Sequence, residues 1–322
     1  MKIRSVAAIL MSLCMLTGCT SNTGSSDTYE KTTSAAVQTT AGETQKTTEE
    51  TSSLMLSGAS EDIEFIEETD NGARVYIHRD DKKIFSKIYM PDSEGPFPAI
   101  IFSAGMGMMY TYTEDYAKKA AENGIAGIVF DFTGTGVLSS GDGTHMDFSA
   151  LTEAADVNAV YDAVSSLPQI KSDNIFLWGH SLGGLVSTYV TEQRPDDIKG
   201  LILADPCYQI QDTFRDLIPE GSEIPDVVKD PSFGAISKMF AEDILSFDIF
   251  EKMPDYDKNV LLFQGTVSPC VGLQFPEYFK RASELFPSLT VVTIEGADHR
   301  FTDDKGIQMI EKTIEFVNEN AG

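Results

Sequence analysis

Ile175-Phe176-Leu177-Trp178-Gly179-His180-Ser181-Leu182-Gly183-Gly184 is the stretch that decides the fold. Four apolar residues run straight into Gly-x-Ser-x-Gly, and the segment from Leu185 to Gln193 continues with helical character. The bare pentapeptide carries little weight. With 25 Gly in 322 residues, it arises by chance in roughly one such chain in seven. A strand, a glycine-flanked turn and a helix in that order are more specific, because together they describe a strained elbow. Glycines on either side keep side chains away while the serine is held in a sharp turn with its hydroxyl presented outward. Without chemistry, the same stretch reads as a Gly-rich turn between strand and helix.

The amino-terminal region has a different character. Lys2 and Arg4 precede an apolar run from Val6 to Leu16, which is too short to span a bilayer. The run closes on Leu16-Thr17-Gly18-Cys19. This order resembles a bacterial lipobox, which predicts a signal peptide over 1–18 and lipidation of Cys19. An ordinary cleaved secretory peptide is the alternative. Residues 20–60 contain 19 Ser or Thr in 41 positions, a composition that cannot bury a core. The segment 19–60 is therefore expected to be a disordered tether with an end-to-end distance of about 35 Å. Its two or more acyl chains would anchor it stably to a membrane, on the extracytoplasmic face of a bacterial, Gram-positive, cell.

Globular composition begins near residue 61, and 61–322 has the length of one α/β domain. Loss of Lys2 and Arg4 with the signal leaves 22 − 50 = −28 formal charges. Such a charge excludes nucleic acid as a partner and disfavours adhesion to anionic lipid. No His/Cys spacing suggests a metal site and no glycine pattern suggests a phosphate or dinucleotide, so no cofactor is expected. Cys14 leaves with the signal, and Cys207 and Cys270 remain in a compartment that permits disulfides.

Along the domain, Arg74–Arg79 and Lys83–Met90 alternate around Asp80-Asp81 and predict an antiparallel hairpin. Apolar runs at Ala99–Phe102, Ile125–Phe130, Asn174–Trp178, Gly200–Ala204, Asn259–Phe263 and Leu289–Ile294 predict buried strands. Between them, helical patterns occupy Tyr112–Glu122, Ser149–Leu167 and Gly306–Asn320. Apolar strands alternating with helices mean a mostly parallel sheet covered on both faces. From residue 206 to 258 the alternation stops, yet Phe214, Phe240, Phe247 and Phe250 make that stretch too apolar for an open loop. It is expected to be a helical cap insert.

This order of elements resembles the α/β-hydrolase fold, with the cinnamoyl/feruloyl esterase-like group and its relatives among small lipases and serine aminopeptidases as the nearest likeness. Gly124-Ile-Ala-Gly-Ile-Val-Phe-Asp-Phe-Thr-Gly-Thr-Gly136, Gly179-His-Ser-Leu-Gly-Gly184 and Ile294-Glu-Gly-Ala-Asp-His299 carry the resemblance. It implies an eight-stranded, mostly parallel sheet with the cap inserted after strand 6. It also implies a serine carboxylic ester hydrolase acting on a small-molecule or polysaccharide-linked aryl or acyl ester. The alternatives are a serine aminopeptidase or short-acyl lipase on the same site, or a degraded hydrolase-fold binding lipoprotein.

Within that scheme Ser181 is the candidate nucleophile, and His299, in a loop after the last strand, the candidate base. Oxyanion donors are expected from the backbone of Leu182 and of Gly105 or Met106. His180 reads as a residue that packs or supports the site from behind, because neighbours at an elbow point apart. The acid departs from the family's pattern. Gln264-Gly265-Thr266-Val267-Ser268-Pro269-Cys270-Val271 carries Ser268 where relatives carry an aspartate. Asp205, in Leu203-Ala204-Asp205-Pro206, ends the preceding strand. Parallel neighbours lie about 5 Å apart, so its carboxylate is within reach of His299. A degraded triad and the other carboxylates Asp255, Asp257 and Glu295 stand as alternatives. Cys207 and Cys270 follow neighbouring strands, which makes a disulfide between them a further expectation, with two separate buried thiols as the other.

Overall fold

The computed structural model describes residues 60–134, 139–230, 234–268 and 276–322. The signal and tether readings, Cys19 and Cys270 lie outside them. Among the described residues, nine strands form one sheet in the order β1-β2-β3-β5-β4-β6-β7-β10-β11. Three antiparallel strands open it: β1 (Ile63–Thr69), β2 (Gly72–Arg79) and β3 (Lys82–Tyr89). The other six are mutually parallel: β4 (Phe97–Ser103), β5 (Ala126–Phe130), β6 (Ile170–His180), β7 (Gly200–Ala204), β10 (Val260–Gly265) and β11 (Leu289–Ile294). The sheet therefore has nine strands where eight were expected. The added strand, β1, reads Ile-Glu-Phe-Ile-Glu-Glu-Thr and is mostly exposed. It is held by backbone pairing to β2 rather than by burial of a face, so it carries no apolar period.

Each face of the sheet has its own core. Ile101, Leu177, Leu201 and Leu262 pack with α2 (Ala150–Ser165) and α3 (Leu182–Gln193). Ile100, Phe102, Phe176 and Trp178 face α1 (Glu114–Glu122) and the last helix, Asp304–Asn320. Burial on both faces explains why β6 is continuously apolar from Ile175 to Trp178 rather than alternating. Helix α1 shows how closely the layers approach: a Cβ on Gly127 would sit 2.5 Å from the Ala117 carbonyl oxygen. Ser149 caps α2 reciprocally with Thr152.

The insert between β7 and β10 is not wholly helical. It contains α4 (Ile210–Leu217), an antiparallel pair β8 (Val227–Asp230) and β9 (Gly234–Ser237), and α5 (Lys238–Leu245). The hairpin strands span four residues each, too few for a period of two to register in sequence. Phe214, Ile236, Phe240, Ile244, Ile249 and Phe250 are buried in the same core as α2 and α3, which ties the insert to the body. The buried amide of Gln211 strengthens that tie. Its Nε2 donates to the carbonyls of Ile244 (3.0 Å) and Phe247 (2.6 Å), and its Oε1 accepts from Ile249 N–H (3.0 Å).

The strand order reverses around β4, which lies between β5 and β6. In open parallel sheets the crevice at the carboxyl ends beside such a reversal is where ligands bind. The register there, Ser103 opposite Gly179 and His180 opposite Ala204, sets the end of β4 beside the elbow and the end of β7 beside Ser181.

Candidate active site

Ser181 follows β6 directly and takes φ 54° and ψ −118°, a left-handed conformation that is costly for a residue with a Cβ. Several backbone contacts fix it. Its N–H donates to the Ala204 carbonyl (3.0 Å), continuing the β6–β7 ladder by one residue. Its carbonyl accepts from Gly184, Leu185 and Cys207 N–H groups at 3.1, 3.2 and 2.9 Å. The elbow also depends on two glycines. A Cβ on Gly179 would lie 2.4 Å from the Gly183 carbonyl oxygen, and one on Gly183 would lie 2.3 Å from that of Ala104.

His299 comes from the loop after β11. Its Nε2 is 3.1 Å from Ser181 Oγ, and both residues are buried, at 7% and 6% exposure. On the other side of the ring, Nδ1 is 3.5 Å from Asp205 Oδ2. This is the outer edge of hydrogen-bond distance, and neither atom has a hydrogen-bond partner among the described residues. Such contacts are commonly loose before substrate binds. Asp205 is fully buried and sits at φ 41°, a second left-handed residue one strand away from Ser181. Its Oδ1 accepts from Gly265 N–H at 3.4 Å.

The other carboxylates considered from the sequence do not converge here. Asp255 and Asp257 precede β10, at the amino end of the sheet away from Ser181, and are exposed; Glu295 is exposed as well. Asp298 folds back on its own loop, accepting from Arg300 and Thr302 N–H at 3.2 and 3.1 Å. Ser268 is fully buried and its Oγ has no hydrogen-bond partner among the described residues. The preceding Val267 N–H donates to Ala297, two residues before His299 (3.0 Å).

Leu182 opens α3, so its N–H has no acceptor within the helix. Gly105 lies against Ser181: a Cβ there would be 3.1 Å from Ser181 Cβ and 2.9 Å from His180 Nδ1. Met106, the next residue, is buried. The structure thus brings Ser181, His299, Asp205, Leu182, Gly105 and the backbone of Met106 to one corner of the sheet.

The remaining sequence-derived residues fall as follows. Cys207 is a free, buried thiol that burial pushes up to about 12, with Gln209 Nε2 at 3.6 Å from its sulfur. The bridge expected to Cys270 falls outside the described residues. His78 bonds Glu64 on the surface hairpin (2.8 Å), and the His145 ring packs against Phe148. Sequence reasoning missed Tyr112, whose hydroxyl donates to the Arg300 carbonyl beside His299 (3.0 Å). Nothing in the local sequence marks it, since the contact spans 188 positions. Among the described residues no group of His, Cys, Asp or Glu side chains is arranged to hold a metal ion, and no helix is long and apolar enough to cross a membrane.

Comparison with known proteins agrees with this fold. The pattern of the serine aminopeptidase, S33, family matches residues 95–294. Monoglyceride lipase from Homo sapiens is 22% identical over 245 residues, 73% of this chain and 75% of the lipase. Among solved structures, Est1E from Butyrivibrio proteoclasticus with bound ferulic acid superposes with TM-score 0.68 at 23% identity, covering 76% of this chain and 98% of Est1E. Monoacylglycerol lipase from Paleococcus ferrophilus superposes with TM-score 0.55 at 18% identity, covering 74% and 99%. The chain belongs to the serine aminopeptidase, S33, family of α/β-hydrolases.

Proposed function

We propose that this protein is an extracytoplasmic serine hydrolase that cleaves a carboxylic ester through an acyl-enzyme on Ser181. The observation that carries the reading is the buried line Asp205–His299–Ser181, at 3.5 and 3.1 Å. His299 Nε2 accepts the Ser181 proton as Oγ attacks the ester carbonyl. The oxyanion takes N–H bonds from Leu182 and from the Gly105–Met106 backbone. His299 then returns the proton to the departing alcohol, and water repeats the sequence on the acyl group. Asp205 holds the ring and stabilises the imidazolium, the task that Ser268 cannot perform.

The apolar cap and the likeness to Est1E support an aryl or acyl ester, with hydroxycinnamates as the leading substrates. The likeness to monoglyceride lipase favours a second reading, a short-acyl glyceride. Attachment through Cys19 and a tether over 19–60 would hold the domain outside the cell membrane. The test is turnover of p-nitrophenyl acetate and butyrate with fluorophosphonate labelling, in the intact chain and in Ser181→Ala. Both are expected to vanish in the variant, and Ser181-independent turnover would end the reading. Methyl ferulate against monobutyrin separates the two substrate classes. Loss of metabolic alkyne-palmitate labelling in Cys19→Ala tests the anchor.

A further inference from the structure

His180 lies inside the elbow motif, yet its side chain turns away from the reacting atoms. It is fully buried, and its Nε2 is 2.7 Å from the backbone carbonyl oxygen of His299. A carbonyl can only accept, so Nε2 carries the proton and Nδ1 is left as a bare lone pair. That Nδ1 has no hydrogen-bond partner among the described residues. It faces Gly105, where an added Cβ would come within 2.9 Å of it. The imidazole is flanked by two rings, that of His299 at 4.7 Å and that of Tyr112 at 4.9 Å between centroids. Tyr112 in turn holds the next carbonyl, that of Arg300. His180 thus touches the loop that would bind the oxyanion on one edge and the loop that carries the base on the other.

We propose that His180 is a positioning residue whose Nε2–H bond to the His299 carbonyl sets the approach of the His299 ring to Ser181. The proposal rests on the reading of Ser181 and His299 as nucleophile and base. Burial also holds the His180 ring neutral, well below its ordinary titration range. A second cation 4.7 Å from His299 would oppose the imidazolium that forms there during catalysis. Adjacency in sequence ties the device to the elbow: the residue that turns Ser181 outward turns His180 inward to the loop opposite.

The test is a matched pair, His180→Gln and His180→Asn. The Gln amide nitrogen falls near the place of imidazole Nε2 and can reach the carbonyl, whereas the Asn nitrogen falls near Nδ1 and stops short. Rates with p-nitrophenyl butyrate are divided by the number of fluorophosphonate-reactive sites, so that unfolded molecules do not count. His180→Gln is expected to keep kcat within about fivefold of the unaltered enzyme. His180→Asn is expected to lose about 10- to 100-fold, the scale of an ångström of misplacement, with KM within twofold. Equal kcat in the two variants would overturn the proposal. Ser181→Ala, run alongside, separates that outcome from failure of the hydrolase reading, since only the latter leaves turnover in it. On the unaltered protein, nitrogen-15 imidazole spectra should show the neutral His180 ring protonated at Nε2. A neutral ring protonated at Nδ1 instead would overturn the proposal without any variant.

Discussion

Replacing Asp205 by Asn removes one charge and almost no volume, and its cost follows from the geometry. The carboxylate is fully buried and the His299 side chain is 9% exposed, so neither is well screened. Unit charges 3.5 Å apart attract by about 5 kcal/mol at an effective dielectric of about 20. The attraction exists only once His299 has taken the serine proton, so it lowers the barrier and not the ground state. At about 1.4 kcal/mol per tenfold, its loss slows turnover by about 10³- to 10⁴-fold. Steady-state kinetics on p-nitrophenyl butyrate should therefore show kcat falling by that factor with KM little changed. Thermal unfolding should stay within a few degrees, which separates lost chemistry from lost structure. If Asp205→Asn turns over within threefold of the unaltered enzyme while Ser181→Ala is inert, the reasoning is refuted and another group supports His299.

Four more outcomes can be checked. In the Asp205→Asn background, Ser268→Asp should recover at least tenfold in kcat, because it restores a carboxylate to the buried position beside the 297–299 loop; no recovery would mean that position does not reach His299. Gly105→Ala should cut kcat about 10- to 100-fold with little change in urea midpoint, because its Cβ would press on Ser181 and His180. Gln211→Leu leaves two carbonyls and one N–H of the insert without their buried partners and should cost about 2–4 kcal/mol in urea unfolding. Burial pushes Glu192 up to about 9 in the folded state, from an ordinary 4.5. The native state therefore holds a proton that the unfolded state releases. Stability from this group is lost as pH rises from 4.5 towards 9, and Glu192→Gln should leave Tm unchanged at pH 4.5 and raise it at pH 8, where the stability gained is at most about 5 kcal/mol.

How far the sequence led depends on what each feature needed. The inner part of β6, Ile175–Trp178, and the elbow were legible because burial on both faces forces an unbroken apolar run and a tight turn forces glycines at 179 and 183. His299 was legible from its place after the last apolar strand. β1 was not, because edge pairing to β2 asks for no apolar face. The hairpin of the insert was too short to show a period. The approach of Asp205 to His299 could be suggested but not fixed, because it depends on strand register and on a left-handed backbone at residue 205. The hydrogen bonds of His180 and Tyr112 join residues more than a hundred positions apart, and no local pattern encodes them.

The registered ends of β6 and β7 have a consequence for how this scaffold can change. Ser181 and Asp205 ride on one pair of adjoining strands, locked by Ser181 N–H on Ala204 and Cys207 N–H on the Ser181 carbonyl. In the proposed mechanism nucleophile and acid then form a cassette, and only the base is delivered from elsewhere. The turn that follows β10 then owes the reaction no carboxylate. What its first residues still supply is support, since Val267 N–H holds the Ala297 carbonyl two residues before His299.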